Sequence, residues 1–162
     1  MNNKAQIQQV FTYILTIILV GFVLLMGYRA IIGLIDKGCE VEKASFKTNI
    51  ESMISKFNNY GSLNREGLNG PCDFSQVCFI DTQIIRSNTA ININNPLIFQ
   101  STGAGVEKNI FLVKHGLTEP VGFVEQLKVD NSQEYICINN TNGKFEITFR
   151  GDGKNTYIEP SE

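Results

Sequence analysis

Between Lys4 and Arg29 no side chain carries a charge. The stretch Ala5–Tyr28 is about 24 residues, about 36 Å as an α-helix, against a hydrocarbon core of about 30 Å. Its centre, Ile14–Met26, is almost entirely Ile, Leu, Val and Phe. Thr12 and Thr16 can bond back to carbonyls of their own helix, so they do not spoil it. Tyr13 and Tyr28 suit the two interfaces. The pattern predicts one transmembrane helix. A cleaved secretory signal has a shorter apolar region and a small-residue cleavage site. Here the run is longer, and Arg29–Ile35 continues the helical pattern, so an uncleaved anchor is expected.

Beyond the anchor the helical period persists. Phe46, Ile50, Met53, Ile54 and Phe57 fall at i, i+4, i+7, i+8 and i+11, one stripe of an amphipathic helix. Lys43, Lys47, Glu51 and Lys56 lie off it. The spacing predicts one helix from about Lys4 to Tyr60, with Gly33 or Gly38 as places for a bend and Gly61 as its stop.

After a glycine-rich link, Gly61–Pro71, the period changes to two. Strands are expected at Val77–Ile80, Asn109–Val113, Val121–Val129, Tyr135–Ile138 and Lys144–Arg150, with a short last strand near Tyr157. In Lys144–Arg150 the residues Phe145, Ile147 and Phe149 face one way and charged or polar residues the other, as in a half-buried antiparallel sheet. Asn142-Gly143 is a strong hairpin signal, and Gly151-Asp152-Gly153 marks a second turn. Arg86–Gly105, rich in Asn, Ser and Thr, is expected as loop with one short strand at Leu97–Phe99. The fold class is therefore α+β: a long N-terminal helix, transmembrane and then amphipathic, packed on an antiparallel β-sheet domain. Three segments follow: 1–36 as membrane anchor helix, 37–60 as its amphipathic continuation, and 61–162 as a β-rich extracytoplasmic domain.

Charge narrows the partners. Net charge is −2. From Tyr60 onward 8 Lys and Arg stand against 12 Asp and Glu, net −4. A nucleic-acid binder needs a basic footprint, so nucleic acid is not an expected partner. The expected partners are the lipid bilayer and, through the helix, other copies or other surface proteins.

Orientation cues disagree. Lys4 and the amino terminus lie on one side of the span, with Arg29, Lys37, Lys43 and Lys47 on the other. That count favours a cytoplasmic C-terminus. The cysteines and a glycosylation sequon, Asn139-Asn140-Thr141, favour the C-terminal domain outside the cell, which is the expectation adopted.

Cys39, Cys72, Cys78 and Cys137 are the one reactive constellation. Four cysteines allow three full pairings, and spacing does not choose among them. Cys72 with Cys78 would close a small loop and leave Cys39 to Cys137, and this is the arrangement to test. Cys78 paired with Cys137, or reduced thiols acting as small hydrophobes, are the alternatives. The wide spacings do not resemble a zinc framework. His115, the sole histidine, sits in a turn and cannot build a multi-histidine site. Arg150-Gly151-Asp152 spells an adhesion tripeptide where a turn is needed. Asp73, Asp81 and Glu107 are scattered, Gly103-Ala104-Gly105 lacks the strand and helix of a phosphate loop, and Arg29 reads as a snorkelling side chain. No catalytic residue, metal ligand or cofactor site emerges, and a non-enzyme is expected.

Two resemblances add to this. Lys4-Ala5-Gln6 followed by a long apolar helix resembles the N-terminus of archaeal type IV pilin-like proteins. It implies peptidase cleavage between Ala5 and Gln6, with the helix kept on the mature chain. Val10 stands at the fifth mature position, where bacterial pilins commonly carry an acid. A long helix laid on an antiparallel sheet is also the pilin plan. More broadly, Gly38-Cys39-Glu40, Tyr60-Gly61-Ser62, Pro71-Cys72, Val77–Asp81, Tyr135–Ile138, Asn142-Gly143-Lys144 and Arg150–Gly153 give the whole chain a resemblance to uncharacterised single-pass membrane proteins of small archaeal genomes, which implies no activity. Two functions are expected from this: a membrane-anchored surface protein serving as a pilin-like structural or assembly subunit, or a membrane-tethered extracellular binding module whose Arg86–Gly105 loops meet a partner.

Overall fold

A computed structural model of the chain describes residues 3–87, 91, 93, 95–130 and 134–161, with side chains undescribed at 3–9, 35 and 36. Helix α1 runs Asn3–Lys56, starting within about a residue of the expected bound and ending about four residues short of Tyr60, with Phe57–Tyr60 forming the turn into β1. The chain divides into two compact units, Met1–Glu40 and Val41–Glu162.

From Asn3 on, the first unit is helix alone. Every large apolar side chain from Val10 to Leu34 is exposed within the monomer, Ile17 at 71% and Leu34 at 69% among them. Mean hydropathy reaches 2.5 along this helix, which is long and apolar enough to cross a membrane. Thr16 Oγ1 donates to the Thr12 carbonyl at 2.8 Å, so its hydroxyl is satisfied within the helix.

The second unit is built in layers. Its strands are β1 (Leu63–Asn69), β2 (Gln76–Ile80), β3 (Ile110–Lys114), β4 (Leu117–Gly122), β5 (Leu127–Val129), β6 (Tyr135–Thr141), β7 (Lys144–Gly151) and β8 (Thr156–Pro160). Their order is β4-β3-β2-β6-β7-β8-β5, with β1 also paired to β7. All pairs are antiparallel except β5 with β8. Strand β2 is buried on both faces. Val77 and Phe79 join the core under α1, while Cys78 and Ile80 join a second core on the opposite face. β3 repeats this, with Ile110 and Leu112 on one side and Phe111 on the other.

The α1 stripe does what its period predicts. Phe46, Ile50, Ile54 and Phe57 are buried with Phe145, Ile147 and Phe149. Phe46 meets Phe145 and Phe57 meets Phe149, with centroids 5.8 and 5.7 Å apart. Thr156 Oγ1 donates to the Ile54 carbonyl at 2.6 Å, tying β8 to the helix. Asn142 and Gly143 take φ of 53° and 81°, the left-handed pair that a two-residue hairpin turn needs.

Three expectations are corrected. Gly61–Pro71 is not a link: it contains β1, seven residues long. Its period of two was hidden because only Leu68 is buried. Val121–Val129 is not one strand. The Asn109 side chain accepts from Val124 N at 2.9 Å and donates to Val124 O at 2.8 Å. These bonds occupy the backbone groups of Val124 that a continued ladder would use, and the strand is split into β4 and β5. The expected Leu97–Phe99 strand is helical. α2 (Thr82–Ser87) and α3 (Pro96–Gly103) cover the second core with Ile85 and Ile98. Asn95 caps α3 by accepting from Leu97 N and Ile98 N, and Pro96 pre-sets its first turn. The Arg86–Gly105 segment otherwise falls partly outside the described residues, at 88–90, 92 and 94.

Candidate functional site

Opposed places on β2 and β6 set the thiol chemistry. Cys78 and Cys137 are cross-strand partners in the ladder. Their Cα atoms are 4.0 Å apart and their sulfurs are bonded. This overturns the Cys72–Cys78 loop and, with it, a Cys39–Cys137 bridge. Strand register decided the pairing, not nearness in sequence: Cys72 lies before β2, in a turn where its own φ is 48°. No cysteine of the chain is a free thiol. Each thiol is consumed, so none serves as a nucleophile or metal ligand in this state.

The other candidate residues lie apart from one another in the chain. His115 is exposed in the β3–β4 turn with a φ of 45°. Asp81 accepts from Lys128 Nζ at 3.1 Å, Gln83 N at 2.8 Å and Val129 N at 3.3 Å, joining the end of β2 to β5. Asp73 is exposed, and Glu107 and Arg29 lie exposed on separate elements. Gly103 ends α3, so Gly103-Ala104-Gly105 closes a helix rather than opening one. Among the described residues no cluster of three or more His, Cys, Asp or Glu could hold a metal.

The tripeptide at 150–152 is held by the fold at each residue. Arg150 Nε donates to Glu159 at 2.8 Å, its Nη2 pairs with Asp130, and its guanidinium lies over the Tyr157 ring. Those bonds raise its pKa above the ordinary arginine value, the Glu159 hydrogen bond foremost. Gly151 is buried against backbone carbonyls of Asn59 and Phe57. Asp152 accepts from Asn155 N at 2.6 Å and Lys154 N at 2.8 Å, which lowers its pKa to about 2. Burial first, then the Asp152 charge, raises the Tyr157 pKa.

Asn139, the sequon residue, lies exposed on β6, its side-chain oxygen accepting from Gln76 Nε2 at 3.0 Å. Glycosylation would use the amide nitrogen and leave that acceptor in place. Ala5 and Gln6 lie within α1, their side chains undescribed.

A groove of about 520 Å³ runs between the Val41–Met53 face of α1 and β1 with its exit, Gly67–Pro71. Val41, Phe46, Met53 and Leu68 supply apolar walls, and Glu42, Ser45, Asn49 and Asn69 supply polar ones. Glu42 is fixed there by accepting from Cys72 N at 2.9 Å. Sequence reasoning missed this groove because it took β1 for a linker. No family model, no curated protein and no solved structure matches the chain.

Proposed function

We propose that the protein is a single-pass, membrane-anchored surface protein, serving as a pilin-like structural or assembly subunit with its β-domain outside the cell. The observation that carries this is the helix from Val10 to Leu34, apolar on every face and exposed on every face. Such a surface is stable only in lipid or against other helices. The oxidised cysteines support the side of display, since disulfides persist in oxidising compartments. They outweigh the Lys and Arg count, which is a bias on insertion rather than a chemical requirement. The Lys4-Ala5-Gln6 start supports processing, and the long helix laid on a sheet supports the pilin-like plan. With Val10 where an acid is common, assembly would rest on helix packing.

The test is intact mass of the protein recovered from membranes, with labelling of cells by a membrane-impermeant lysine reagent. Loss of the first five residues together with external labelling of the head supports the reading. An intact Met1 counts against pilin-like processing, and a head labelled only after lysis counts against surface display. A second reading, a tethered binding module, is favoured by the groove of about 520 Å³ between α1 and the end of β1. It treats the helix as a tether and the head as the working part.

A further inference from the structure

Strand β6 ends in Asn139-Asn140-Thr141, the one place in the chain where an asparagine stands two residues before a serine or threonine. Residues two apart on a strand share a face, and the one between them points the other way. Asn139 and Thr141 are therefore presented together, and both are exposed. Asn140 turns into the fold, where its Nδ2 donates to the Phe74 carbonyl at 2.9 Å. Asn139 uses its side-chain oxygen, which accepts from Gln76 Nε2 at 3.0 Å. Among the described residues its Nδ2 has no hydrogen-bond partner.

The sheet face on which the pair stands follows from the same alternation. Ile136 and Ile138 pack with the core under α1, while Tyr135 and Cys137 pack with the second core on the other side. Asn139 and Thr141 continue the line of Tyr135 and Cys137. They stand at the end of β6, where the Asn142-Gly143 turn begins. A bulky group on Asn139 Nδ2 would displace no core side chain and break no backbone hydrogen bond of the ladder. It would also leave the Gln76 bond to the Asn139 oxygen in place.

We propose that Asn139 carries an N-linked saccharide. The transfer joins Asn139 Nδ2 to the anomeric carbon of a sugar held on a lipid phosphate, the co-substrate of a membrane-bound transferase. The new C–N bond replaces the sugar's C–O bond to phosphate. The lipid phosphate leaves with the bonding pair, and Nδ2 gives up one of its two protons. The Thr141 hydroxyl is the second group that such a transferase reads, and any residue but proline serves between them. The assignment rests on display of the head outside the cell, the side to which the oxidised cysteines also point. A saccharide adds a bulky, solubilising surface group. It would stand on the sheet face opposite α1 and leave the groove beside α1 uncovered.

The experiment uses the full chain purified from membranes of the cells that produce it, with the impermeant lysine reagent applied before lysis. After reduction, trypsin releases the peptide Val129–Lys144, which holds the whole sequon. That peptide is expected to carry saccharide mass, and its fragment ions to place the mass on Asn139 rather than on Asn140 or Asn142. Asn139→Gln and Thr141→Ala should each lose the whole increment. Thr141→Ser keeps the hydroxyl and should retain it. An unmodified peptide from a head labelled before lysis would overturn the proposal and leave surface display standing. An unmodified peptide from a head labelled only after lysis would overturn both. Saccharide kept by Thr141→Ala, or found on another asparagine, would overturn the assignment to this sequon. The map of the parent chain decides the matter if a variant does not accumulate.

Discussion

Phe46 on α1 and Phe145 on β7 meet edge to face, centroids 5.8 Å apart and planes inclined at 69°. The pair lies 99 positions apart in the chain and joins its two longest periodic patterns, the helical stripe and the alternating strand. Phe46 is 3% exposed and Phe145 is fully buried. Phe46→Ala should therefore cost the head about 3–5 kcal/mol, through lost burial and the cavity left behind. Thermal unfolding of the detergent-solubilised chain, followed by near-ultraviolet circular dichroism, should show the loss. Ile17→Ala, on the exposed apolar helix, should leave that transition where it was.

The second expected outcome concerns the Cys78–Cys137 bond. Peptide mapping without reductant should recover Cys78 linked to Cys137, no Cys72–Cys78 peptide, and no free thiol. The two residues are 59 positions apart, so chain entropy alone assigns the crosslink about 4 kcal/mol. Replacing both with alanine should lower the unfolding free energy, read from denaturant titration, by a comparable or smaller amount. A Cys72–Cys78 peptide in the digest would contradict the β2–β6 register itself.

Much of this architecture was legible because the residues that matter repeat with a period. The stripe from Phe46 to Phe57, the alternation of Phe145, Ile147 and Phe149, and Asn142-Gly143 each state their geometry locally. β1 was not legible. It is an edge strand of polar residues with one buried side chain, so it carries almost no hydrophobic alternation. α3 was read as a strand from Leu-Ile-Phe, and the deciding signal, Asn95-Pro96 as cap and first turn, was present and passed over. The choice of Cys78–Cys137 over Cys72–Cys78 was beyond reach, because register between β2 and β6 depends on contacts remote in sequence. The groove beside β1 was missed for the same reason as β1.

Gly151 offers a sharp test of how the β7–β8 turn is packed. A Cβ placed there would come within 2.2 Å of the Asn59 carbonyl oxygen and 2.4 Å of that of Phe57. Both are backbone atoms that close the end of α1, so they cannot swing aside. Gly151→Ala should destabilise the head by about 1–3 kcal/mol as an overpacking substitution. Gly67→Ala meets only flexible side-chain atoms, of Glu146 at 3.0 Å and Lys144 at 3.5 Å, and should cost less. Equal unfolding temperatures for the two variants would mean that the turn does not press against the helix end.

Acid should act on the same turn. Asp152 has a pKa lowered to about 2, chiefly because its carboxylate accepts the Asn155 backbone N–H. A depressed folded value means that the contribution is present above the unfolded aspartate pKa, about 3.9, and is lost as pH falls toward 2. Asp152→Asn keeps an acceptor oxygen but removes the titration. Unfolding curves between about pH 5 and 2 should therefore fall less steeply for Asp152→Asn than for the parent chain. Parallel curves would show that the Asp152 carboxylate is not held by Lys154 and Asn155 in solution.

The last expectation concerns which part of the chain folds without lipid. Val41–Glu162 forms a compact unit whose core closes within itself, since the α1 residues from Phe46 to Phe57 belong to it. The exposed apolar side chains from Val10 to Leu34 all lie outside it. A fragment beginning at Val41 has three of the four cysteines, so Cys72→Ser leaves it only the Cys78–Cys137 pair. About 120 residues are enough for a self-sufficient core, and a net negative charge favours solution. The fragment should be soluble without detergent, sediment as a monomer, and unfold in one cooperative transition. If the helix alone drives assembly, the fragment should form no higher species at any concentration tried. Aggregation of the fragment would show that the head needs residues before Val41, and would move the boundary of the folding unit into the apolar helix.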